Sequence, residues 1–338
     1  MTLGLAATAC GSDEAPAANG VAGQEAPTTL RLGYFPNVTH ATALVGVESG
    51  IFETALGPNT LEVKTFNAGP AAVEALFSGA LDASYIGPNP AINAYVQSGG
   101  EAIRIISGAT SGGASLVVKP TIAVPADLKG RKVASPQRGG TQDVALRSWL
   151  KDNDLTSDLQ GGGDVSIVPQ ENGQSLETFR SGEIDGAWVP EPWATRLVQE
   201  AGGKVLVDER TLWPQGRFVT THLVVRTEFL REHPDAVRRL VQGQVRANDL
   251  VEADPTRARQ LVNQAITTIT GKGVADAVLQ AAWKNLEFTN DPVASSLTVA
   301  ADHAREVGLL EAVDLDGIYD LTLLNAVLRD AGQPEVKG

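Results

Sequence analysis

The residues from Ser135 to Asp143, SPQRGGTQD, bring a glycine pair, a threonine and a fixed cation into one short loop. They follow the strand-like run Arg131-Lys132-Val133-Ala134 and precede Val144, Leu146, Trp149 and Leu150 at helical spacing, so they cover a strand end and a helix start. N–H groups in a first helical turn have no acceptor within the helix, and Gly139, Gly140 and Thr141 leave them unobstructed. With Arg138 beside them, the chemistry is that of an anion site. An ordinary turn with a solvated Arg138 uses the same residues. A second stretch, Asn67 to Val96, reads as helix, tight turn, short strand, turn and helix. Gly69-Pro70 opens the first helix, Gly79 stops it, and the apolar run Leu81 to Ile86 ends in Gly87-Pro88-Asn89-Pro90. That turn is expected to point free N–H groups beyond the strand end, where open α/β sheets bind ligands.

Other chemistry lacks its residues. The loop at Arg138 does not match G-x-x-x-x-G-K-[ST] or G-x-G-x-x-G, and no G-x-S-x-G, H-E-x-x-H or clustered carboxylate pair occurs. The four histidines, His40, His222, His233 and His303, lack the local spacing of a zinc site. No catalytic residue, metal or cofactor is therefore expected. With 338 residues, 43% of them apolar, the chain can bury a sizeable core and is long enough for two domains. The balance of 27 Lys+Arg against 40 Asp+Glu, a net charge of −13, argues against nucleic acid or an anionic membrane surface as partner.

The elements that must hold these loops alternate in type. Leu30 to Tyr34 is a first strand, and Phe35 to His40 leads into a helix carrying Ala43, Leu44, Val47 and Ile51. Asn37 and Thr39 are candidate caps there, and Thr39 or His40 is equally a candidate ligand donor. Leu61 to Phe66 and Ile103 to Ser107 are further strands, and Ser111-Gly112-Gly113-Ala114 is a small-residue crossing or a plain loop. SGEIDGAWVPEPW, ending at Trp193, echoes SGALDASYIGPNP earlier in the chain, so two halves look built on one plan facing each other. Trp188 and Glu191 then fall opposite Gly87 to Pro90 and are cleft candidates, while Trp193 reads more readily as a core anchor with Leu197. Gly216 to Val225 is a returning strand containing Thr221 and His222, after which the pattern is helical.

Four stretches in this order, GYFPNVTHATALVGVESGIFE, SGALDASYIGPNP, the segment around GGTQD and GEIDGAWVPEPWA, resemble the nitrate/sulfonate/taurine family of ABC-transporter substrate-binding proteins. The resemblance runs from about Leu30 to the C-terminal region. It implies an α/β chain with the two-lobed periplasmic-binding-protein fold of type II, each lobe a mixed sheet flanked by helices and the ligand cleft between them. The expected division is residues 1–29 as leader and tether, 30–114 as the first part of lobe 1, 115–219 as lobe 2, and 220–338 as the return to lobe 1 with C-terminal helices. The implied partners are an ABC permease with its ATPase and a small anionic solute, held on closure by donors from both lobes. The expected ligand residues are Asn37, Thr39, His40, Gly69, Pro88, Asn89, Ser111, Gly112, Arg138, Gly139, Gly140, Thr141, Trp188, Glu191, Thr221 and His222.

The single cysteine, Cys10, ends a run of small residues and precedes a polar stretch rich in Ala, Gly and Pro, and so resembles a lipoprotein's acylation site. Ala7 stands where leucine is usual and no basic residues precede the apolar run, which a start assigned too far downstream would explain. The expected protein is a monomer outside the cytoplasm, tied to the membrane through lipid alone. Two alternatives remain. A thiamine-pyrimidine precursor or riboflavin would be stacked by Tyr34, Phe35, Tyr85 or Trp188, and a thiamine-pyrimidine synthase-like enzyme would need a cysteine-rich motif that the sequence lacks.

Overall fold

The computed structural model describes residues 1–2, 26–311 and 314–338. Cys10 lies outside the described residues. Apolar alternation makes β1 (Thr29–Tyr34), which is followed by a 3-10 turn (Val38–His40), α1 (Ala41–Glu48), α2 (Ile51–Leu56) and β2 (Thr60–Thr65). Then come α3 (Gly69–Phe77), β3 (Ala83–Ile86), α4 (Pro88–Gln97) and β4 (Ile103–Gly112). Pro70 and Pro88 sit in first helical turns, where a missing N–H costs nothing. The chain next builds β5 (Ala114–Val118), β6 (Lys132–Ser135), α5 (Thr141–Asp152), β7 (Ser166–Pro169), α6 (Asn172–Ser181), β8 (Gly186–Pro190), α7 (Trp193–Ala201) and β9 (Lys204–Asp208). It returns through β10 (Val219–Arg226) to α8 (Thr227–Glu232), α9 (Pro234–Ala253), α10 (Pro255–Thr270), α11 (Asp276–Trp283), β11 (Leu286–Phe288), α12 (Ala294–Glu306) and α13 (Thr322–Asp330).

Two mixed sheets result. The first has the order β11-β4-β10-β3-β1-β2 and the second β7-β6-β8-β5-β9. In each, three strands run parallel (β2, β1, β3 and β7, β6, β8), and an antiparallel strand follows, β10 in one and β5 in the other. The repeated order explains the echo seen in the sequence. Its aspartates do the same work twice: Asp82 accepts from the backbone N–H of Arg31 at 2.9 Å, and Asp185 from that of Lys132 at 3.0 Å. Each carboxylate thus ties the strand it begins to the start of its parallel neighbour.

The crossing strands are exchanged between the lobes. β4 lies in the first sheet and continues directly into β5 of the second, and β9 of the second sheet leads back to β10 of the first. At the outward crossing Gly112 and Gly113 have φ of +77° and +76°, a left-handed pair that side-chain-bearing residues avoid. Each lobe has its own apolar core, with Phe52, Tyr85, Leu223, Val237 and Leu240 on one side of the molecule and Leu116, Leu128, Leu146, Ile167 and Trp188 on the other. Among the described residues no helix is long and apolar enough to cross a membrane.

Candidate ligand-binding cleft

Between the lobes lies a narrow cleft lined from both sides. Lobe 1 supplies Phe35, Asn37, Thr39, His40, Gly69 and Gly87, and lobe 2 supplies Gln137, Gly140, Thr141, Gln142 and Asn172. Four helices begin on it: α3 after Ala68, α4 after Gly87, α5 after Gly140, and α6 at Asn172. The backbone N–H groups of Gly69, Thr141, Gln142 and Asn172 donate to no described residue, as first-turn geometry requires. Each such end carries a positive field of about half a charge. Among the described residues no Asp, Glu, Lys or Arg lines the cleft. Burial pulls the His40 imidazole down to about 3, and its Nδ1 accepts from the Phe35 N–H at 3.4 Å, so His40 is a neutral wall with the Phe35 ring tilted against it at 4.3 Å. The walls meet closely at one point, because a Cβ on Gly87 would fall 2.2 Å from Thr141 Oγ1.

The loop at Arg138 differs from its sequence reading. The Gly139 N–H donates to Asp143 Oδ2 at 2.9 Å, and the Gly140 N–H to the Gln137 carbonyl at 3.0 Å, so neither is free for an anion. Asp143 also accepts from Ser135 Oγ at 2.9 Å and Arg147 Nε at 3.0 Å, an almost fully buried arrangement that shapes the loop. Arg138 is exposed and is not among the residues lining the cleft. The donors available to a ligand there belong to Thr141 and Gln142, one step further along the helix.

Other expected residues lie elsewhere. Asn89 turns away from the cleft and its Nδ2 donates to the Ala300 carbonyl at 3.0 Å, while Pro88 and Pro90 lack N–H groups altogether. α4 therefore offers the cleft its field and the Pro90 ring, with few donors. Trp188 is fully buried in the lobe 2 core, where its Nε1 donates to Glu209 at 2.7 Å. Glu191 is also buried, accepting from Thr195 Oγ1 at 2.9 Å and Asn285 Nδ2 at 2.7 Å, with its carboxyl held above the usual range chiefly by burial. Thr221 donates to the Thr39 carbonyl at 3.0 Å inside lobe 1, and His222 Nε2 lies 3.0 Å from the Pro292 carbonyl. Ser111 and Gly112 border a separate crevice with Arg210 and Arg217 behind the crossing. Asn37 does not cap by its side chain; its Oδ1 accepts from Trp193 Nε1 of the other lobe at 2.9 Å, so Trp193 bridges lobes besides packing beside its own core.

Gln137, Gln142 and Asn172 are cleft residues that sequence reasoning passed over. Asn172 had a signal available, since it stands at the start of an amphipathic helix directly after a strand, in the same relation as Thr141. Among the described residues no cluster of three or more His, Cys, Asp or Glu is placed to hold a metal ion.

Two lobes of one strand order, joined by exchanged crossings around a cleft fed by helix starts, define a chain of the periplasmic-binding-protein fold. The alkanesulfonate-binding protein SsuA from Xanthomonas axonopodis pv. citri, solved bound to MOPS, superposes with a TM-score of 0.71 at 18% identity, over 88% of this chain and 99% of that one. The chain belongs to the NMT1-like family, whose profile matches residues 23–267. It is 29% identical over 200 residues to the taurine-binding periplasmic protein of Escherichia coli (strain K12), a match that spans 58% of this chain and 59% of that protein. It is 24% identical over 327 residues to a putative aliphatic sulfonates-binding protein of Bacillus subtilis (strain 168), covering 93% and 92% of the two chains.

Proposed function

We propose that the protein is the solute receptor of an ABC importer, capturing a small oxyanion of the sulfonate, taurine or nitrate kind outside the cytoplasm and passing it to a permease and its ATPase. One observation carries the reading: four helix N-termini, two from each lobe, converge on a cleft that no described carboxylate lines. An anion placed there gains several charge-assisted hydrogen bonds and four favourable dipoles, so it needs no formal counter-ion. Because the donors come from both lobes, the anion binds the closed arrangement better than the open one, which is what drives closure. The relatives, named as binding proteins for taurine and aliphatic sulfonates, support a binding protein rather than an enzyme.

Stacking of a pyrimidine or flavin is disfavoured. Tyr34, Tyr85 and Trp188 are buried in the cores, and Phe35 already faces His40. A thermal-shift and calorimetric screen of ethanesulfonate, taurine, nitrate, pyrimidine and riboflavin tests the proposal. A bound anion at a hundredfold excess over Kd is expected to stabilise by about 2.7 kcal/mol. Response only to the aromatic compounds would reverse the reading. Anchoring through an acylated Cys10 belongs to the same proposal, and fatty-acid label on wild type that is absent from Cys10→Ser checks it.

A further inference from the structure

The lobes meet along a second line besides the ligand cleft. Thr141 borders both, and beyond it Val144 and Ala145 of α5 in lobe 2 face Ala300 and His303 of α12 in lobe 1. The return crossing closes this seam with Glu209 and Trp213, leaving no room for a solute. Glu209 is 2% exposed there, and Trp188 Nε1 donates to its carboxyl at 2.7 Å. Trp213 stacks on Phe218 at 5.3 Å and lies tilted against His303 at 5.7 Å, so the crossing is covered from lobe 1 as well as from lobe 2. Among the described residues no cation pairs with Glu209. Its neighbour Asp208 is held by Arg210 at 2.6 Å, and on α5 Arg147 is taken by Asp143 and Lys151 by Glu306 of α12. β5, β8 and α4 contain no charged residue, which leaves His303, half-buried, as the ionisable group that lobe 1 brings to the seam.

A carboxylate stripped of water without a counter-charge is unfavourable, so the closed seam favours the neutral acid. We propose that Glu209 couples lobe closure to a proton: shutting the seam between α5 and α12 takes up a proton on its carboxyl, and opening the seam returns that proton to water. The sign follows from burial, which holds the carboxyl up at about 7 in the closed chain, whereas a hydrated glutamate titrates near 4.5. Between those values the closed chain keeps a proton that the open chain has released, so closure is favoured at the acid end and weakens as pH rises through the window. Below it both forms are protonated and above it both are ionised, so the dependence is confined to that range. A two-lobed chain with this device grips its solute more firmly in acid medium.

Small-angle scattering on the ligand-free full chain reads closure without reference to any solute. Wild type is expected to have a smaller radius of gyration at about pH 5 than at about pH 8, Glu209→Gln to keep the smaller value at both, and His303→Gln to behave as wild type. The second arm rests on the receptor reading and uses calorimetry with ethanesulfonate, taurine and nitrate. Across the same pH span wild type is expected to lose about tenfold or more in affinity for whichever anion it binds, because fewer molecules reach the closed state. Glu209→Gln, neutral and of the same shape, is expected to keep its affinity and so to bind more tightly than wild type at about pH 8, an outcome that misfolding does not imitate. If Glu209→Gln does not fold, wild type against His303→Gln carries the test. The coupling is overturned if neither radius nor affinity moves with pH in wild type, if both move alike in Glu209→Gln, or if His303→Gln abolishes the movement. A radius that responds to pH in a chain binding none of the three anions keeps the coupling and overturns the receptor reading, and anion binding with neither quantity responding does the reverse.

Discussion

Asp143 shows how a single residue redirects the chemistry its neighbours advertise. Its carboxylate takes the Gly139 N–H and the Ser135 hydroxyl, and Arg147, four residues on, neutralises it inside the protein. The glycine loop is thereby a scaffold for the helix start, and the ligand is left with Thr141 and Gln142. Arg138 points into solvent, where an isolated charge is screened. Arg138→Ala is therefore expected to change anion affinity by less than about threefold in calorimetry at about 0.15 M salt, a loss too small for a direct contact with a charged ligand. A tenfold or larger loss would place Arg138 at the ligand after all.

At the scale of elements, the duplicated plan lets one substitution control for another. Asp82 is buried beneath β1 and β3, takes three bonds from Arg31, and also faces Arg226 at 3.5 Å. Asp185 repeats the backbone bond but keeps 27% of its side chain exposed. Removing a buried partner strands the remaining polar groups, whereas an exposed pair is worth little. Asp82→Ala is expected to lower stability by roughly 3 kcal/mol and Asp185→Ala by about 1 kcal/mol, measured by urea denaturation. Equal losses would show that burial does not set the difference.

For the whole molecule, the return crossing carries a titrating group. Glu209 is buried between β9 and β10, its carboxyl pushed up to about 7 by burial against the opposing pull of the Trp188 N–H. Between its ordinary value of 4.5 and about 7 the folded state holds a proton that the unfolded state has released, so stability falls as pH rises through that window. His222 acts in the other sense. Burial lowers it from 6.5 to about 4, so its contribution is lost as pH falls through that range. Glu209→Gln removes the first slope alone. Relative to wild type it is expected to gain roughly 3 kcal/mol between about pH 4.5 and pH 8 in denaturant midpoints, because each pH unit separating the folded and unfolded titrations is worth about 1.36 kcal/mol. A difference that stays constant with pH would mean that Glu209 titrates like an exposed glutamate.

Local pattern was enough to place single elements: strand alternation in Leu30 to Tyr34, helix starts at Gly69-Pro70 and Thr141, and the repeated S-G-x-[IL]-D that proved to tie parallel strands in both lobes; the two-lobed arrangement came from the family resemblance. Those signals are legible because propensity and capping act between residues near one another in the chain. The residues facing the ligand were another matter. Asn89 and Pro90 are adjacent, yet one bonds to α12 and the other lines the cleft, since neighbouring side chains on a helix point about 100° apart. Trp188, Thr221 and His222 carry chemistry that suits a site, but their strands direct them into cores. Asn172 was legible as a helix start after a strand, in the same relation as Thr141, but that signal does not say whether its side chain faces a ligand. What singles it out is its place in the folded cleft, where its Oδ1 is buried without a partner. Which donors remain free is a property of long-range packing, and only the folded chain decides it.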